Sequence, residues 1–264
     1  MATTESREVV ELATLKTATG LFRDSMKVIV SIGGSVLAPD LHPDRVREHA
    51  AVIEDLDADG VTLGAVVGGG SVAREYIETA RDLGANEIEL DDVGIDVTRL
   101  NARLLIAALG ERAAPSPAKT YEEAGRAMRR DEIAVMGGVT AGQTTDAVSA
   151  ALAEYTNADL LVYATSVPGV FSADPNEDED AVKYDELSAG ELVDVIADIE
   201  MNAGSSAPVD LLAAKLIERS GVRTIVLDGT EPTRIADAIV HGEHDGTDII
   251  PDGTGNEVSY WVQQ

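Results

Sequence analysis

The residues with the clearest chemical potential are glycines in three clusters, each followed by hydroxyl or carboxylate side chains. IGGS spans 32–35, VGGGS 67–71 and MGGVTAGQTTD 136–146. Glycine lets backbone N–H groups approach an anion, and a helix that starts after such a turn adds partial positive charge, so the pattern suits phosphate. The third cluster comes within one residue of the loop pattern G-x-x-x-x-G-K-[ST]: Gly137, Gly142 and Thr144 fit, but Gln143 stands at the lysine position. Without that lysine nothing reaches the β and γ phosphates of a nucleotide, so this is not an ordinary donor-nucleotide loop. GGGSVAR supplies no G-x-G-x-x-G either, which sets aside a dinucleotide site. A single glycine turn has a bland explanation, because strand-to-helix turns need glycine to turn. Three at equivalent places are harder to dismiss, and nests of amides hold phosphate without lysine.

Lysine is scarce: the 264 residues contain it only at 16, 27, 119, 183 and 215, against 15 arginines and a net charge of -28. That balance opposes nucleic acid and anionic membranes, which carry the same sign. Acidity spread along the whole chain, with few lysines, suggests adaptation to high salt, where repulsion between surface carboxylates is screened. Cysteine is absent, so disulfides and thiolate chemistry are excluded. No run of eighteen apolar residues and no secretory signal pattern occurs, which makes a cytoplasmic location the default.

The elements that must position these turns are short apolar runs separated by helical stretches. MKVIVSI (26–32), VTLGAVV (61–67), EIAVM (132–136), DLLVYA (159–164) and RTIVL (223–227) are continuously apolar, as strands buried on both faces are. Segments such as PDRVREHAAVIEDLDADG, SVAREYIETARDLG and TTDAVSAALAEYTNAD have helical spacing and end at glycine or asparagine. The expected class is α/β, a three-layer sandwich around a largely parallel sheet. The glycine clusters then fall at the carboxyl ends of strands, where such sheets bind ligands. Residues 1–25 read as an N-terminal extension, either an appendage that need not be ordered or an upstream-start artefact. NEDED at 176–180 reads as a solvated loop and 251–264 as a tail.

Several blocks, in order, resemble the archaeal-type uridylate kinases of the amino acid kinase superfamily: SIGGSVL (31–37), VVGGGSVAREYI (66–77), DDVGIDVTRLNARLLIAAL (91–109), VMGGVTAGQTTDAVSA (135–150), DLLVYATSVPGVFSADP (159–175) and AGSSAPVDLLAAKLIERSG (203–221). The resemblance covers about residues 26–250 as one domain, with a UMP-binding lobe over about 26–155 and an ATP-binding lobe over about 156–250. It implies phosphoryl transfer from ATP to UMP, with Mg2+, in a homohexamer. Such transfer needs positioning and charge neutralisation more than covalent help.

By matching motif, the resemblance places Gly34 and Ser35 at the transferring group, Gly69 facing UMP, and Gly70 and Arg74 neutralising phosphate charge. It makes Asp91 the acceptor of hydrogen bonds from the nucleoside sugar. The segment Val139, Thr140, Ala141, Gly142, Gln143, Thr144 and Thr145 wraps UMP, and Asp146 orients groups around the reaction centre. Thr165, Phe171 and Asp174 match positions that line adenine and ribose. Lys215, in a predicted helix, is either a ligand of ATP phosphates or a surface lysine. Asp146 has a plainer reading as a helix-start carboxylate favoured by the helix dipole. No side chain stands out as a metal ligand.

Two departures from the family pattern bear on the donor side. Ser31 stands where many superfamily members carry the lysine of K-x-G-G, and T-N-V-D-G-V-Y becomes TSVPGVF, with Ser166, Pro168 and Phe171 substituted. The competing readings are a kinase acting on another small acid and a noncatalytic nucleotide-binding or storage protein of the same fold.

Overall fold

The computed structural model describes residues 25–175, 178–200 and 207–253. Residues 1–24 of the expected 1–25 extension, the start of the 176–180 loop, the start of the 203–221 block and residues 254–264 of the expected tail lie outside these residues. The five strands expected from sequence are all present: β1 (Lys27–Ile32), β2 (Thr62–Val67), β3 (Ala134–Met136), β4 (Leu160–Thr165) and, after a short β5 (Glu186–Ser188), β6 (Arg223–Asp228). With β7 (Thr247–Ile250) they form one sheet in the order β3-β2-β1-β4-β6-β7-β5. Pairing is parallel except between β6 and β7. The two strands that sequence patterning did not mark, ELS and TDII, are short and partly polar. β5 is the sheet's edge, whereas β7 lies between β6 and β5 and buries Thr247 and Asp248 with hydrogen-bond partners, Val170 and Tyr184 for the first and Arg223 for the second.

Side chains on successive residues of β1 point to opposite faces and enter separate cores. Val28, Val30 and Ile32 pack with α2 (Pro43–Ala58), α4 (Glu87–Leu109) and α9 (Thr233–Val240). Ile29 packs on the other side with α5 (Tyr121–Met128), α6 (Thr145–Thr156), α7 (Ala189–Glu200) and α8 (Leu211–Ser220). The result is helix, sheet, helix, as the buried strands required. The remaining helices, the single turn α1 (Gly34–Leu37) and α3 (Gly70–Asp82), both start at glycine turns. α3 buries only Ala73.

The chain places β2 and β3 on one side of β1, then crosses to place β4 and β6 on the other. Strand order therefore reverses direction between β1 and β4, which opens a crevice beyond their carboxyl ends. IGGS leaves β1 at that crevice, and Gly33 donates its N–H to the Ala164 carbonyl of β4 at 3.0 Å.

Candidate active site

The first two glycine turns pack back to back. A Cβ placed on Gly34 would lie 2.3 Å from the Gly70 nitrogen and 2.5 Å from the Gly68 oxygen, so no side chain fits between the turns. Gly70 has φ +67°, a left-handed backbone that glycine adopts without strain. Among the described residues the N–H groups of Gly34, Ser35, Gly69 and Gly70 donate to nothing, which leaves four amides available at this junction.

On one side of the junction lies a cleft of ≈ 480 Å³, large enough for a nucleotide-sized ligand. Its lining includes Gly69, Gly70, Asp91, Gly142, Gln143, Thr144 and Thr145, seven of the positions singled out from sequence on three separate segments. Asp91 is in the first turns of α4, whose start is fixed by a capping box between Asn86 and Glu89. One carboxylate oxygen of Asp91 accepts the Gly142 N–H at 2.7 Å. The loop turns there because Gly142 has φ +79°. Thr144 caps α6, accepting the Ala147 N–H at 3.1 Å, so the loop delivers the cleft to a helix start.

Three other loop positions do not line this cleft. Val139 packs against the second core and its carbonyl accepts from Arg99, while the Thr140 carbonyl accepts the Gln143 N–H at 3.3 Å. Ala141 is half-buried between them. Arg74 is exposed on α3, outside the lining, and makes no ion pair among the described residues.

A second, smaller cleft opens beyond β4 on the other side of IGGS and is lined by Thr165, Ser166, Phe171, Asp174 and Pro175 among others. It unites the three residues that the resemblance assigned to adenine and ribose. Thr165 shapes its rim, since its hydroxyl binds both the carbonyl and the N–H of Val167. Lys215 is not part of it; it lies on α8 with its ammonium 3.0 Å from Glu218. Among the described residues, neither cleft has a lysine or arginine in its lining. Amides and helix starts supply positive potential there.

Between the clefts, the first turns of α6 and α8 bring two carboxylates together. Asp210 caps α8, accepts the Ala213 N–H at 2.9 Å and also accepts the Thr144 hydroxyl. Burial pushes the Asp146 carboxyl up to about 7, and the nearby charge of Asp210 adds to the effect. Beneath them, buried Tyr163 donates to the Asp146 carbonyl at 2.8 Å.

Sequence reading missed Asp210, Thr98 and Asn101. The last two had a signal. They fall on the α4 stripe that buries Leu90, Ile95, Ala102, Leu105 and Leu109, and a polar residue among core positions needs a partner. Thr98 accepts the Gly138 N–H at 2.7 Å, and Asn101 holds the carbonyls of Gly68 and Gly69. The quoted block DDVGIDVTRLNARLLIAAL is thus one helix that braces two of the glycine turns.

The sequence model described as "Amino acid kinase family" matches residues 26–228. A "Uridylate kinase" of Halobacterium salinarum is 77% identical over 237 residues, covering 90% of this chain and 98% of that protein. Another from Haloarcula marismortui is 70% identical over 86% of this chain and its own full length. The crystal structure of uridylate kinase from Archaeoglobus fulgidus superposes with TM-score 0.75 at 47% identity, covering 85% of this chain and all of that one. With its clefts on either side of IGGS and its match across both, the chain belongs to the amino acid kinase family.

Proposed function

We propose that the chain is a uridylate kinase, transferring the γ-phosphoryl group of ATP to the phosphate of UMP to give UDP and ADP. The observation that carries this reading is the contact between the turns after β1 and β2, which gathers four free amides, two of them from residues that line the larger cleft. UMP occupies the cleft at Asp91 and Gly142–Thr145, ATP the cleft at Thr165, Phe171 and Asp174. The lobes are 26–155 and 156–250. Amides at a fixed junction stabilise charge on a transferring phosphoryl group without reorganising. Near relatives named as kinases do not favour the noncatalytic alternative.

Magnesium, when bound with ATP, neutralises charge on the bridging phosphates. It takes hard oxygen ligands, commonly one or two carboxylates together with phosphates and water. Asp146 and Asp210 suit that role by type, Asp146 following Thr145 of the larger cleft in the chain and Asp210 accepting the Thr144 hydroxyl of that cleft. Ser31, buried in β1 at the position of the family lysine, brings no cation. The acidic composition supports work in concentrated salt, and the product supports a place in pyrimidine nucleotide synthesis. No helix among the described residues is long and apolar enough to cross a membrane. Exposed Tyr76, Leu83, Ile88, Leu100 and Leu104 on and around α3 and α4 are suited to burial in a homohexamer, which light scattering tests.

The deciding assay is ADP release in molar KCl with magnesium ATP, offering UMP, CMP, carbamate and N-acetylglutamate in parallel. Failure of UMP to turn over above the others sinks the reading. Within it, Asp91→Ala removes a charged acceptor for the sugar and frees the Gly142 amide. The UMP KM is expected to rise by about 10- to 100-fold, the cost of one hydrogen bond to a charged group, with less than about twofold change for ATP. Equal rises for both would place Asp91 in the wrong cleft.

A further inference from the structure

We infer that Asn101 is a positioning residue for the phosphate of the bound monophosphate, acting through the direction of two peptide groups. The inference rests on the assignment of the larger cleft to a nucleoside monophosphate. Asn101 lies on α4, 3% exposed, and its amide nitrogen donates to the Gly68 carbonyl at 2.9 Å and to the Gly69 carbonyl at 3.2 Å. In a trans peptide the C=O and the following N–H point in opposite directions in one plane. Pulling the Gly68 and Gly69 oxygens toward α4 therefore turns the N–H groups of Gly69 and Gly70 away from it, and both residues line the cleft.

A stretch of consecutive glycines has no side chain to settle those peptide orientations. A flipped peptide would present a carbonyl oxygen to the phosphate in place of an amide, exchanging attraction for repulsion. The neighbouring turn blocks part of that freedom by contact, since a Cβ on Gly68 would sit 2.8 Å from the Gly34 nitrogen. The Gly69 carbonyl also accepts the Ala73 N–H, at 3.4 Å; the side chain that holds both carbonyls is Asn101, which has two N–H donors and spends them there. Thr98, one turn earlier on α4, grips the other loop through the Gly138 N–H at 2.7 Å and provides a matched control.

The test compares full-length wild type, Asn101→Asp, Asn101→Leu and Thr98→Val for binding of UMP and of uridine by calorimetry, with thermal unfolding in molar KCl alongside. Aspartate keeps the shape and sets oxygen against the two carbonyls; leucine keeps most of the bulk and drops the donors. UMP affinity is expected to fall by about tenfold or more in both Asn101 variants, the cost of unmaking such bonds, while uridine affinity changes by less than about twofold. Thr98→Val is expected to weaken uridine and UMP alike. Parallel losses of uridine and UMP in the Asn101 variants overturn the inference, as does unchanged UMP binding. Unfolding of both Asn101 variants also overturns it, by making the residue a structural support. Because binding is read without turnover, a wild type that binds UMP and fails to phosphorylate it would refute the kinase reading and leave the Asn101 result to be judged separately.

Discussion

Asp146→Asn is expected to make the protein more stable at neutral and alkaline pH while removing most of its turnover. The carboxyl is raised from 3.8 to about 7, first by burial and then by the charge of Asp210. An acid whose folded pKa lies above its unfolded value binds more protons in the folded state between the two. Stability therefore declines as pH rises from about 4 to about 7 and is level above that. At about 1.4 kcal/mol per unit, a rise of about three units means that the ionised carboxylate costs on the order of 4 kcal/mol at pH 8. Asparagine keeps the shape and cannot ionise, so its advantage should be absent near pH 4, grow across the window and reach on the order of 10 °C in Tm for a chain of this size. Measurements belong in molar KCl, where the many exposed carboxylates are screened and the half-buried Asp146 is screened less.

Turnover should move the opposite way. A carboxylate held between two clefts at a cost to stability is what a site needing negative charge beside a nucleotide-bound cation would keep. Loss of one preorganised electrostatic group is expected to lower kcat by about a hundredfold or more. Parent and variant unfolding with the same pH dependence would refute the burial argument. An active variant would reduce Asp146 to the helix-start carboxylate of the plainer reading.

The sheet was legible because β1, β2, β3, β4 and β6 are buried on both faces and had to be continuously apolar. β5 and β7 were not, since they are three and four residues long and carry Glu186, Ser188, Thr247 and Asp248, which breaks the apolar run. The site was legible where chemistry needs a rare residue or a turn: the three glycine clusters, Asp91, Gly142, Phe171 and Asp174 all face one of the clefts or the junction. It was less legible where the contribution is a direction. Asn101 touches only backbone carbonyls, and Asp210 joins Asp146 across a separation of 64 positions in the chain. Lys215, which sequence left open between a ligand of ATP phosphates and a surface lysine, pairs its ammonium with Glu218 on its own helix.

Gly34→Ala should be the most damaging single methyl in the site. The atoms it would meet are the Gly70 nitrogen at 2.3 Å and the Gly68 oxygen and Gly69 carbonyl carbon at 2.5 Å, all backbone, so no rotamer change makes room. One turn must move by about an ångström, at an expected cost of about 2 to 4 kcal/mol in stability, as for a strained overpacked core. Two glycines serve as controls for alanine itself. Gly142 (φ +79°) and Gly84 (φ +91°) have nothing within 4 Å of a built Cβ, so each should lose only the conformational term of about 1 to 2 kcal/mol. Gly84→Ala, outside the lining of either cleft, should keep full activity, and Gly142→Ala should raise the UMP KM alone. In Gly34→Ala the same displacement separates the donor turn from the acceptor turn. Reacting atoms must come within about 3 to 3.5 Å, and about 1 Å of misplacement costs roughly a hundredfold in rate. Its kcat should therefore fall far more than its KM for either nucleotide rises. A Gly34→Ala protein as stable and active as Gly84→Ala would mean that the two turns do not touch in solution, and with that the junction between the clefts would lose its role.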